Sequence, residues 1–102
     1  MKKRNYSFKE KLFLWPGESA NWYFLLIPKN EGQQIRKDFA TLENKKCFAS
    51  VKVAVSLGDS VWQTALFYSK PAESYILPLK KKIRQTEDIE AGERISFSCK
   101  IL

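Results

Sequence analysis

Lys80, Lys81, Lys82 and Arg84 follow Pro78 closely and place four cations within five positions. Residues of this type and spacing can hold an anion. If a helical turn starts after Pro78, its free N–H groups point the same way as the lysines. Trp62 offers a ring for stacking and Thr64 a hydroxyl, on one face of a neighbouring strand-like stretch. Together, Trp62, Thr64, Lys80, Lys81, Lys82 and Arg84 form the candidate ligand-binding set. A plainer reading stands beside it: the lysines are a solvated surface, and Arg84 pairs with a carboxylate to brace the turn. Trp22 and Tyr75 are further aromatics, read as filling for a small core.

Catalysis finds little support. The chain has no histidine, the usual base near neutral pH. Glu87, Asp88, Glu90 and Glu93 crowd together, but they follow the cations and read as solvated balancing charges. Gly17, Gly32, Gly58 and Gly92 have no phosphate-loop or dinucleotide spacing. Cys47 and Cys99 lie far apart in alternating apolar stretches, so they read as buried, reduced thiols and not as metal ligands or a disulfide. No metal or cofactor is expected.

What must position the candidate residues is small. A chain of 102 residues holds one core, and 44% hydrophobic content is enough to fold it. A net charge of +7 favours anionic partners, with weak, non-specific nucleic-acid binding among them. The opening "MKKRNYSFKEKLFLW" has a basic start, but Lys9, Glu10 and Lys11 break any apolar signal region. The expectation is a cytoplasmic protein with no membrane partner, a monomer or weak dimer, with residues 1–5 a mobile basic tail.

Most of the chain reads as strand. In "CFASVKVAVSL" Cys47, Ala49, Val51, Val53, Val55 and Leu57 alternate with Ser50, Lys52 and Ser56, the period of a half-buried strand. "GDS" interrupts and "VWQTALFY" resumes, which predicts a hairpin over 47–68. "ERISFSCKIL" repeats the alternation. "YSFKEKLFLW" is a weaker strand closed by Pro16-Gly17. "WYFLLI" (22–27) is apolar at every position, a strand covered on both faces or closing a barrel. Ile35, Phe39 and Leu42 recur at helical spacing, and a second helical turn is predicted over 79–86. Six strands and two short helices predict a mainly β fold, a small closed barrel without exposed edges.

The chain also carries an internal echo. "LLIPKNEGQQIRKDF" and "YILPLKKKIRQTE" each pass from an apolar strand end through proline to Ile-Arg. At an offset of 48, Ile35 falls on Ile83 and "SVKV" (50–53) on "SCKI" (98–101). This predicts two strand–helix–strand halves about a pseudo-two-fold axis, with Val51 matched to Cys99.

Two resemblances add to these readings. "PLKKKIRQTEDIEAGERI" resembles the swapped-hairpin motif of AbrB- and MazE-like regulators through Pro78, Arg84, Ile89, Gly92 and Ile95, with Glu93 where that family has Asp. Over residues 6–102 the chain is similar to the bacterial domain-of-unknown-function family numbered 1905. Trp22, Tyr23, Phe24 and Pro28 carry that similarity, then Trp62, Thr64, Leu66 and Phe67, then Leu77, Pro78, Lys80, Arg84 and Gly92. Asn21, Ala65, Tyr68 and Glu93 depart from it. If the family's Ser carried chemistry, Ala65 would remove it here.

The second resemblance implies a double-split β-barrel and no established activity. The reading taken forward is a small non-enzymatic domain binding an anionic or ring-containing ligand. The alternatives are an AbrB-like DNA-binding module and an enzyme of unknown reaction.

Overall fold

The computed structural model describes residues 3–16, 21–39 and 50–102. In chain order the elements are β1 (Asn5–Trp15), β2 (Trp22–Leu26), α1 (Lys29–Phe39), β3 (Ser50–Leu57), β4 (Ser60–Ser69), β5 (Ser74–Pro78), α2 (Lys81–Thr86) and β6 (Arg94–Ile101). The six described strands close into one antiparallel barrel in the order β1-β2-β5-β4-β3-β6. The fold is mainly β with two short helices, as the alternation predicts. Leu42 and Cys47 lie outside the described residues.

Alternation decides what faces inward. Val51, Val53, Val55 and Leu57 of β3 and Ile95, Phe97, Cys99 and Ile101 of β6 are all buried. They meet Leu12, Leu25, Ile27, Leu66, Tyr75 and Leu77 in a single core. Removing this much apolar surface from water is the main force closing the barrel. The β3–β4 hairpin turns at Gly58-Asp59, with Gly58 at φ 57, a left-handed conformation that costs glycine nothing.

The strand assigned least weight by its pattern, β1, is the longest. Residues 5–11 pair with β6 and residues 12–15 with β2, so one strand spans the seam between two neighbours. Residues 3–5 are drawn in with it. Asn5 opens β1, the Arg4 carbonyl accepts from Ile101 N–H at 2.8 Å, and the Lys3 ammonium lies 4.8 Å from the Tyr6 ring centroid.

The two halves exchange cleanly in topology. Swapping β1, β2 and β3 with β4, β5 and β6 leaves every neighbour pair of the barrel in place. At one self-paired seam Val53 lies opposite Ile101, its counterpart at the offset of 48. At the other, Ile27 N–H donates to the Tyr75 carbonyl at 2.9 Å and Leu79 N–H to the Tyr23 carbonyl at 2.8 Å. That reciprocity matches Ile27 with Leu79 and Tyr23 with Tyr75, an offset of 52. The first helical bonds, Gly32 N–H to Pro28 O and Arg84 N–H to Lys80 O, keep the same offset. Ile35 and Ile83 both pack on the core, yet they sit at different depths in helices of 11 and 6 residues. The repeat is therefore topological, and its register differs between the two seams.

α1 lies against β5. Its Gly32 abuts Ser74, whose buried hydroxyl donates to the Ile27 carbonyl at 2.6 Å. Gln33 and Arg36 each donate to the Tyr68 hydroxyl at 3.0 Å, which fixes the outer side of the helix to β4.

Candidate functional site

The cation cluster sits where the sequence places it. Lys80, Lys81 and Lys82 are exposed at the start of α2. That helix has only six residues, and no side chain caps its first turn. Arg84 is half-buried, and its guanidinium lies over the Tyr23 ring, 3.5 Å from the centroid. Among the described residues the partner of Arg84 is thus an aromatic face and not the expected carboxylate. A weakly hydrated planar cation suits such a contact.

The carboxylates behind it are not all solvated charges. Glu87 accepts from the Ser60 hydroxyl at 2.6 Å and from Asp59 N–H at 3.3 Å, tying the end of α2 to the β3–β4 turn. Glu93 accepts from Glu90 N–H at 2.9 Å within its own turn. Both carboxylates shape loops.

Trp62 and Thr64 stand on the inward phase of β4 with Leu66 and Tyr68. Both are half-buried, and Trp62 packs against the core. Val61 and Phe67 take the outward phase and are exposed. The ring of Trp62 is therefore part of the barrel filling, while Lys80, Lys81 and Lys82 are on the outside.

A second feature was not among the candidates. The outer face of β1, β2, β5 and β4 carries an apolar groove of about 880 Å³. Register explains it. Trp15 lies opposite Trp22, and Phe13 opposite Phe24, which lies opposite Pro78. Leu26 lies opposite Ile76, which lies opposite Phe67. These cross-strand rows run over four neighbouring strands and form one continuous apolar surface. The Phe13 and Phe24 rings stack at 5.8 Å, and the groove wraps over the barrel rim to Leu14 and Tyr23. Trp15 is 66% and Trp22 63% exposed, unusual for residues of that size.

The sequence did contain a signal. "WYFLLI" is apolar in both strand phases, the pattern of a strand covered on both faces; here the outer face is the open groove. Tyr23, Leu25 and Ile27 turn inward to the core. Trp22, Phe24 and Leu26 turn outward to the groove, which no described residue of the chain fills.

Groove and cation cluster adjoin. Pro78 and Tyr23 line the groove; Lys80 follows Pro78 by two residues, and Arg84 rests on the ring of Tyr23. The site is an apolar trough that reaches Tyr23, the residue on which the Arg84 guanidinium rests. Its volume falls within the range of about 300–1,000 Å³ typical of small-molecule sites. Among the described residues no group of carboxylates and thiols is placed to hold a metal. No helix among them is long and apolar enough to cross a membrane.

A comparison with curated proteins finds no match. The family model for a domain of unknown function, DUF1905, matches residues 8–98, which take in all of β2 to β5, both helices and the greater part of β1 and β6. By that match the chain belongs to the DUF1905 family.

Proposed function

We propose that this domain is a binding module for an amphipathic anion, a ligand with an apolar or ring-containing body and one acidic group. The body lies in the groove between Trp22, Phe24 and Phe67, and the acidic group reaches Lys80, Lys81 and Lys82. The observation that carries this reading is the junction at Tyr23, a residue that lines the groove at the barrel rim and whose ring is the platform for Arg84. Apolar burial gives such a ligand affinity, and the cations fix its direction. Trp62 and Thr64 support the wall from within in this reading and do not touch the ligand. The same reading makes the protein a cytoplasmic one, which the buried thiol of Cys99 supports. The exchangeable halves support a kinship with AbrB-like barrels.

The test is a fluorescence titration with anilinonaphthalene sulfonate, an aromatic anion. Wild-type protein should bind it in the micromolar range, and W22S/F67S should weaken binding at least tenfold. Val61→Ser removes a still more exposed apolar side chain outside the groove and should leave affinity within about twofold. Equal losses in the two variants, or no binding at millimolar dye, would refute the reading.

A further inference from the structure

The rest of the barrel wall has the opposite chemistry. Along β1, β6 and β3 the outward positions pair as Lys11 with Arg94, Lys9 with Ser96, Ser7 with Ser98, and Asn5 with Lys100. Ser98 and Lys100 continue the rows to Ser56 and Ala54, and Lys52 lies two residues beyond Ala54. Five cations, Lys9, Lys11, Lys52, Arg94 and Lys100, are exposed on this face. No outward position of these strands over residues 5–11, 50–56 and 94–100 is acidic. Glu10 falls on the inward phase, and Glu93 is turned to the backbone of Glu90. Ser7, Ser56, Ser96 and Ser98 surround a shallow depression between the cations.

We propose that this face binds the phosphate backbone of duplex nucleic acid, without sequence preference. Like charges repel one another here, a cost that an anionic partner relieves, and they spread over about 20 Å of strand, at some 3.4 Å per residue. That span suits a polyanion better than a single small anion. Serine hydroxyls among the cations are suitable donors to phosphate oxygens. Among the described residues no exposed aromatic ring lies on the face to stack on an unpaired base, so the duplex with its denser charge is favoured over a single strand. An anionic membrane is the poorer fit, because the large exposed aromatics, Trp15 and Trp22, lie on the groove side of the barrel. This proposal is independent of the groove.

The experiment is fluorescence anisotropy with a fluorescein-labelled 20-base-pair duplex, from 50 to 200 mM salt. Five phosphate contacts give a log–log slope of about −4.5, roughly a 500-fold loss over that range. K9Q/K52Q/K100Q should lower affinity at 50 mM salt at least tenfold and flatten the slope to about −2. K9R/K52R/K100R should bind like the wild type. K80Q/K81Q/K82Q makes the same change in net charge and should stay within about twofold of wild type. Equal weakening in the two glutamine triples would reduce the effect to net charge and overturn the proposal. So would tighter binding to the single strand, matching affinity for phosphatidylserine vesicles, or no duplex binding at 50 mM salt.

Discussion

The guanidinium of Arg84 lies 3.5 Å from the centroid of the Tyr23 ring, joining the short helix α2 to the β2 wall of the groove. The contact sits at the seam where the two halves of the barrel exchange hydrogen bonds. Its Nε is buried with no hydrogen-bond partner among the described residues. Stacking is therefore what offsets the desolvation of the cation.

Arg84→Gln should destabilise the fold by about 1–2 kcal/mol, the scale of a partly desolvated cation–π contact. Arg84→Lys should recover less than half, because an ammonium is more strongly hydrated and cannot stack. Urea unfolding midpoints measure both. An unchanged midpoint in Arg84→Gln would show that the turn does not depend on the contact.

Gly32→Ala sets two effects against each other. Alanine is the better helix former by about 1 kcal/mol. However, the new methyl would collide with Ser74, which is buried and held by its bond to the Ile27 carbonyl. Overpacking of that kind costs about 1–3 kcal/mol, so the net change should be destabilising. S74G/G32A should restore much of the loss by opening the space. A Gly32→Ala protein melting above wild type would contradict this packing.

Burial pushes the Cys99 thiol up to about 12. The neutral thiol is the folded form, so the stabilising term is complete below the unfolded value near 9 and is lost as pH rises from there toward 12. Tyr6 and Tyr75, both raised chiefly by burial, act in the same direction. Stability should fall above pH 9, and Cys99→Ala should make that fall shallower. Native Cys99 should also react slowly with thiol reagents at pH 8, since the thiolate is the nucleophile. Rapid labelling would mean that β6 opens readily.

Much of this architecture can be read from the chain. Alternation in β3 and β6 is strict because each has one wet face and one dry face, and the periodicity reports that directly. The half-repeat is also visible, through Val53 and Ile101. Its second register is hidden because helices of unequal length shift the offset from 48 to 52. β1 reads weakly since it changes neighbours midway, around Lys11 and Leu12. At the site, the lysines are legible as exposed and Arg84 as a brace, but its partner is not. Tyr23 is brought to Arg84 by the pairing of β2 with β5, which no local pattern specifies. The groove is half legible. An apolar strand such as "WYFLLI" announces two apolar faces, yet only barrel closure determines that Phe13, Phe67 and Ile76 come to share the outer one.

The central claim is that the groove and the α2 cations form a single site. Isothermal titration of laurate and of its neutral counterpart dodecanol, against wild type and K80Q/K81Q/K82Q, tests it most directly. The two ligands share a tail and differ in the acidic group. Wild type should prefer laurate by about tenfold, roughly 1.4 kcal/mol. The triple variant should lose that preference while keeping its affinity for dodecanol. A wild-type protein that binds the two equally, or a triple variant that still prefers laurate tenfold, would contradict the account.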